Sequence, residues 1–291
     1  MKRLEILKTY KLYIGGKFPR TESGRFHAFM NGKDHVANVC KASRKDFREA
    51  EGAARSAQTG WWARSAYNRS QILYRIAEMM EGRKEQFIEE LILQGSTKVK
   101  AQKEVTLAID CWIYYAGWCD KYQALFSSVN PVASAHFNFS VLEPTGVVCL
   151  APRPGDALLG VVSMIAPAIC AGNAVVVLND LKSPLSIVTL TEVLHTSDLP
   201  GGVVNVLTGD LNELLPHVSV HMDVNAIAYA GEDKEMLKKL QHDAASNVKR
   251  IIKVDPDEVL VREDPYLIRA MSEVKTTWHP IEQIGASGSG Y

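Results

Sequence analysis

The side chains of this chain best able to serve as nucleophile, base or metal ligand are five cysteines and eight histidines. Cys40, Cys111, Cys119, Cys149 and Cys170 lie at long intervals, form no Cys-x-x-Cys pair and are odd in number. That spacing argues against a disulfide framework or a zinc knuckle and for a reducing compartment. Cys149 falls in an apolar strand and Cys170 on an apolar helix, where a thiol is a small core residue and not a nucleophile. Cys111 and Cys119 lie on one side of a helix, with no partner ligands to complete a metal site. Among His27, His35, His136, His195, His217, His221, His242 and His279, only His217 and His221 have i, i+4 ligand spacing. Without the glutamate of an HExxH motif, an exposed helix end is the plainer reading, and no metal is expected. A third cluster, Arg153, Gly155 and Asp156, offers a guanidinium that could clamp an anion, although pairing with Asp156 is its commoner fate.

The elements that must position these groups belong to a chain of 291 residues with 33 basic and 33 acidic side chains. A nucleic-acid binder carries a basic stripe or a domain pI above about 9, so a sequence pI of about 7.1 argues against that partner. Hydrophobic residues are 46% and charged residues 23%, an ordinary globular composition. The start, MKRLEILKTYKLYIGG, is basic but interrupts each apolar run before a signal core forms. Ala157 to Leu178 is uncharged and long enough to cross a bilayer, yet it contains Gly160, Pro167, Gly172 and Asn173. It reads as a buried helix, a Gly-Asn turn and a buried strand, so a cytoplasmic protein without a membrane partner is expected.

Leu12 to Cys40 alternates loosely around Gly15-Gly16, Ser23-Gly24 and Asn31-Gly32, the pattern of a small β region. Ser43 and Asp46 form a capping-box variant, and Phe47, Ala50, Ala54 and Ala57 mark a helix to about Gln58. Ile72, Leu73, Ile76, Met79 and Met80, then Phe87, Ile88, Leu91 and Ile92, mark two more helices. A third runs from about Lys98 to Phe126. After Asn130-Pro131 the chain turns extended over His136 to Leu142. Strands Gly146 to Ala151, Ala174 to Leu178, Val203 to Leu207 and Ala226 to Tyr229 then alternate with helices near Ala157 to Cys170, Pro184 to His195 and Leu211 to His217. The prediction is an α/β chain with a Rossmann-like doubly wound parallel sheet behind an amino-terminal helical layer.

Five runs carry a resemblance: YYAGWCDK (Tyr114 to Lys121), EPTGVV (Glu143 to Val148), IAPAICAGNAVV (Ile165 to Val176), LPGGVVNVLTG (Leu199 to Gly209) and IAYAGE (Ile227 to Glu232). In order and spacing they resemble the amino-terminal half of the aldehyde dehydrogenase superfamily, as do LYIGGKF (Leu12 to Phe18) and NRSQILYRIAEMMEGR (Asn68 to Arg83). The similarity covers roughly residues 10–235. It implies oxidation of aldehydes with a nicotinamide cofactor, by a cysteine thiolate, an asparagine oxyanion donor and a glutamate base.

Carried over residue by residue, that chemistry is missing. The oxyanion asparagine falls on Gly155, which has no side-chain donor. The ribose-binding lysine and glutamate fall on Leu178 and Leu181, which bond to no hydroxyl; Lys182 is one residue away and reads as a solvated lysine. The Gly-Ser-Thr-x-x-Gly phosphate turn reads Gly231-Glu232-Asp233-Lys234-Glu235-Met236, placing two carboxylates at a helix start where phosphate would go. No Glu-Leu-Gly-Gly or Gly-Gln-x-Cys segment follows Met236, and no cysteine follows Cys170.

Lys275 to Trp278 is similar to the closing strand of the family's oligomerisation element, with His136 to Leu142 as its hairpin. The division expected is residues 1–129 as strands and helical layer, 130–145 as hairpin, 146–236 as the Rossmann-like portion, 237–272 as a divergent element in place of the catalytic domain, and 273–291 as closing strand and flexible tail. The reading is a non-catalytic, aldehyde-dehydrogenase-like subunit that binds no cofactor. It assembles with itself or with a full-length aldehyde dehydrogenase through Phe137, Phe139, Ser140, Lys275, Thr277 and Trp278. The alternative is an NAD- or NADP-binding subunit whose nucleophile sits on another chain.

Overall fold

A computed structural model describes residues 6–255, 257 and 263–281. Three short strands come first, β1 (Lys8–Tyr10), β2 (Phe26–Asn31) and β3 (Asp34–Cys40), with β3 parallel to β1 and antiparallel to β2. Helix α1 (Arg44–Trp62) starts on the Ser43–Asp46 capping box. It continues past Gln58 because Trp61 is buried, its Nε1 donating to Ile169 O at 2.8 Å.

Helices α2 (Ala66–Glu81), α3 (Lys84–Leu93) and α4 (Lys98–Ala116) follow. The single helix expected to reach Phe126 is broken after Ala116, with Gly117 as C-cap, and resumes as α5 (Tyr122–Phe126). The break returns the chain to the core, where Cys119 and Tyr122 are both buried. Next come β4 (Ser128–Asn130), β5 (His136–Pro144) and β6 (Val147–Ala151). Then α6 (Leu159–Cys170), β7 (Ala174–Asn179), α7 (Leu185–His195), β8 (Val204–Thr208), α8 (Leu211–Ser219) and β9 (Ala226–Tyr229) alternate. The uncharged stretch is indeed helix, turn and strand, and no described helix is long and apolar enough to cross a membrane.

Beyond Met236 the alternation does not stop. Helix α9 (Lys234–Ala245) contains the boundary expected there, and β10 (Arg250–Lys253) pairs in parallel with β9. Residues up to 253 therefore extend the parallel sheet and are not a separate element. The short helix α10 (Tyr266–Ala270) packs on α6, and β11 (Ser272–Pro280) closes the described chain. The tail from Gly285 to Gly290 lies outside the described residues.

The central sheet has the order β10–β9–β6–β7–β8, all parallel. Alternate side chains of each strand face opposite ways, and both faces are apolar. Val147, Cys149, Ala151, Val176, Leu178 and Leu207 pack with Phe47, Ala50 and Ala54 of α1 and with Leu214, Val218 and Leu240. Val148, Leu150, Val175, Val177 and Val204 pack with α2, α4, α6 and α7 through Ile76, Trp112, Ile165 and Leu190. Gly172, at φ +92°, makes the turn into β7, and the buried Asn173 ties it down by accepting from Gly146 N at 2.9 Å. Its Nδ2 donates to Ala168 O and Met271 O.

Candidate functional site

Strand order reverses between β6 and β9, so the crevice at their carboxyl ends is the topological switch point where such sheets take ligands. The segment after β6 carries Arg153, Gly155 and Asp156; the segment after β9 carries Gly231, Glu232 and Asp233. Arg153 bridges them. Its Nε and Nη2 donate to Asp156 Oδ1 at 3.2 Å, Nη1 donates to Asp257 Oδ1 at 3.1 Å, and Nη1 stands 3.9 Å from Glu232 Oε1. A guanidinium shared among three carboxylates is not the anion clamp considered from the sequence; the pairing with Asp156 prevails. Burial holds the Asp156 carboxyl above the usual range, with Arg153 opposing and Glu104 reinforcing the rise.

Helix N-termini are the anion-binding parts of such a fold, and here both are filled from within the chain. At α6, Glu104 of α4 accepts through Oε1 from Leu158 N at 2.9 Å and Leu159 N at 3.1 Å. At α9, Asp233 Oδ1 accepts from Glu235 N at 2.9 Å and Met236 N at 3.1 Å. Tyr229 folds over the turn between them: its ring lies where a Cβ on Gly231 would stand. A cofactor phosphate would have to displace Asp233 and approach Glu232, 77% exposed, at a cost of about 1 kcal/mol at 4 Å in water and about 4 in a partly screened crevice.

The remaining aligned positions are apolar or bare. Leu178 is fully buried in the cluster around Phe47, and Leu181 packs against the cluster that includes Leu185 and Val188. Gly155, at φ +95°, borders a cavity of about 410 Å³ lined by Ser96, Lys100, Lys103, Glu104 and Asp156 among others. All five cysteines are buried, and burial pushes the Cys149 thiol up to about 12 and raises Cys111 and Cys170 as well. A thiol that resists ionisation is a poor nucleophile.

The outer sheet, β11–β5–β4, holds the residues assigned to association. Strands β5 and β11 pair antiparallel along nine positions, from Ser272 opposite Pro144 to Pro280 opposite His136. Register divides the six residues. Phe137, Phe139, Lys275 and Thr277 share one face, whereas Ser140 and Trp278 share the other. Val129, opposite Phe139, joins the first face, and Phe137 and Val129 are 45% and 68% exposed. Between them lies a shallow cavity of about 350 Å³. On the second face Ser140 Oγ meets Thr276 Oγ1 at 2.8 Å, and the Trp278 ring sits edge-on to His136.

Sequence reasoning did not find Glu104, Tyr229 or Asp257, because each acts on a residue far away in sequence or folds back over its own turn. It also placed His217 and His221 at an exposed helix end. Helix α8 stops at Ser219, and both rings are half-buried, edge-on to Phe47 at 5.9 and 5.6 Å.

Comparison with known proteins matches the aldehyde dehydrogenase family over residues 26–253. The chain is 31% identical over 258 residues to a putative aldehyde dehydrogenase, DhaS, of Bacillus subtilis, covering 86% of this chain and 51% of that protein. It is 29% identical over 258 residues to cytosolic 10-formyltetrahydrofolate dehydrogenase of Mus musculus, covering 86% and 29%. An NAD+ complex of aldehyde dehydrogenase from Bacillus cereus superposes with a TM-score of 0.78 at 25% identity, covering 83% of this chain and 50% of that one. The chain thus spans about half the length of the relatives it matches, or less.

Proposed function

The chain belongs to the aldehyde dehydrogenase family, and we propose that it is a non-catalytic member, acting by association with a second copy of itself or with a full-length aldehyde dehydrogenase. One observation carries the reading: the start of α9, where the family's phosphate turn would receive the cofactor, is capped by the chain's own Asp233, and the neighbouring start of α6 is capped by Glu104. With them go the bare oxyanion position at Gly155 and the packed Leu178 and Leu181. Losing a single oxyanion donor costs about 10²–10³ in rate, and here the ribose and phosphate contacts go as well.

Association is supported by the outer sheet. β11 leaves its outer edge unpaired among the described residues, and the Val129–Phe137–Phe139 face is apolar and partly open. Five buried thiols are in keeping with a reducing, cytoplasmic setting.

Native mass spectrometry of the chain, alone and with a full-length aldehyde dehydrogenase, tests assembly, and calorimetry with NAD+ and NADP+ at millimolar concentration tests the closed crevice. Homo- or mixed oligomers without cofactor heat support the reading. Monomers that ignore the partner overturn the association; cofactor binding overturns the closed crevice and favours a subunit completed by another chain.

A further inference from the structure

At the amino-terminal edge of the parallel sheet, away from the switch point, three possible metal ligands converge from two distant stretches. Glu51 comes from the middle of α1, and His221 and Asp223 come from the segment between α8 and β9. One ligand atom from each lies within 4.8 Å of the other two. Two of the three present a buried polar atom that makes no hydrogen bond. The Glu51 side chain is 6% exposed, and its Oε1 is sealed from solvent and accepts no hydrogen bond. His221 Nδ1 is likewise sealed and without a hydrogen-bond partner.

Such groups are costly to bury unless something pairs with them. Arg55 Nε makes an i, i+4 ion pair with Glu51 Oε1 at 3.9 Å, too long for a hydrogen bond, while its Nη2 donates to Asp223 O and, at 2.7 Å, to Asn225 Oδ1. The His221 ring is held edge-on by Phe47 at 5.6 Å and by His217 at 5.8 Å, which fixes the direction of its nitrogens. Asp223 is exposed and gives an ion a way in.

We propose that Glu51, His221 and Asp223 bind one divalent transition-metal ion of the zinc type. An imidazole with two carboxylates is a donor set for such ions, whereas Ca²⁺ and Mg²⁺ take oxygen donors. Metal–ligand distances of about 2.0–2.2 Å bring donors to about 3–3.5 Å from one another. The three ligand atoms, within 4.8 Å of one another, must draw closer to reach that spacing, Asp223 being the exposed one with room to move, and a fourth position is left for water. The bound ion ties α1 to the entry of β9 and so stabilises the packing of the first helix on the sheet.

The test uses the full chain, stripped with EDTA and dialysed, then titrated calorimetrically with ZnCl2, with CoCl2 absorption as the spectroscopic readout. One equivalent of zinc, a raised melting temperature and visible cobalt bands are expected. In Asp223→Asn and His221→Gln, affinity falls by about tenfold or more while circular dichroism is unchanged, and His242→Gln, at an exposed histidine, behaves as wild type. No saturable zinc binding below about 1 mM would overturn the proposal. Binding that persists unaltered in both ligand variants would do so too, since thiols or surface histidines would then hold the metal.

Discussion

Asp233 Oδ1 accepts the amide of Met236 at 3.1 Å and so caps the helix end that would greet a phosphate. The same oxygen also takes the Glu235 amide. Asp233→Ala removes both contacts and should lower unfolding free energy by about 1 kcal/mol, whereas Asp233→Asn, which keeps a side-chain acceptor, should change it by only a few tenths. Urea unfolding of the three proteins decides the matter; equal losses for Ala and Asn would show that the charge matters and the cap does not.

Glu104 does the same service at α6 from another helix, so its loss has a further consequence. Glu104→Ala strips the acceptor from Leu158 N and Leu159 N and unties α4 from α6. A loss of about 1–3 kcal/mol is expected, with most of the stability kept in Glu104→Gln, whose carbonyl oxygen still accepts. If Ala and Gln fall together in chemical denaturation, the two amides are not what Glu104 serves.

Association through the outer sheet predicts that charge on its open apolar face blocks assembly without unfolding. Phe137→Glu and Val129→Glu replace side chains already 45% and 68% exposed, so thermal stability should shift little. Oligomer seen by native mass spectrometry should disappear in both. Trp278→Glu, on the opposite face, separates the two surfaces: equal loss of assembly there would move the interface to the His136–Trp278 side.

Much of the architecture was legible because it is written in local pattern. Ser43 and Asp46 announce α1, and the βα alternation from Gly146 onward announces a parallel sheet with two apolar faces. Failures have local causes too. Helix α9 is polar and mostly exposed, and β10 offers only Arg-Ile-Ile-Lys, too short a run to mark a strand. Gly117, the C-cap of α4, was a stop signal in the sequence, outweighed there by the apolar residues that continue beyond it. At the crevice, the departures at Gly155, Leu178 and Glu232 could be read by alignment. The groups that close it, Glu104 against Leu158 or Asp257 against Arg153, are 54 and 104 residues apart, and no spacing rule reaches them.

Gly172 joins conformation to packing in a single position. At φ +92° a Cβ would lie 2.5 Å from Trp62 Cε3, so Gly172→Ala meets both backbone strain and overpacking. Each costs about 1–3 kcal/mol. Gly24→Ala, at φ +68° with nothing within 4 Å, meets the strain alone and should cost about half as much or less. Trp62→Leu in the Gly172→Ala background should recover part of the loss; strict additivity in the denaturation series would remove the clash from the account.

Glu90 supplies a pH dependence with a definite sign. Its Oε1 accepts from Tyr10 Oη at 2.9 Å and Thr189 Oγ1 at 2.7 Å, while its sealed Oε2 has no partner. Burial raises its carboxyl above the ordinary value, and the two hydroxyls and Lys8 only partly oppose it. A carboxyl raised in the folded state holds its proton more tightly there than in the unfolded chain. The stability it contributes is therefore full below the unfolded pKa and is lost as pH rises through the folded one. Glu90→Gln cannot ionise, and every other titrating group is common to the two proteins. Whatever constant effect the amide has, the unfolding free energy of Glu90→Gln minus that of wild type should be largest near pH 8 and should shrink as pH falls toward 4. Urea midpoints at pH 8, 6 and 4 measure it; a flat trend would show that Glu90 ionises in the fold as freely as in water, and an opposite one that the fold favours its charged form.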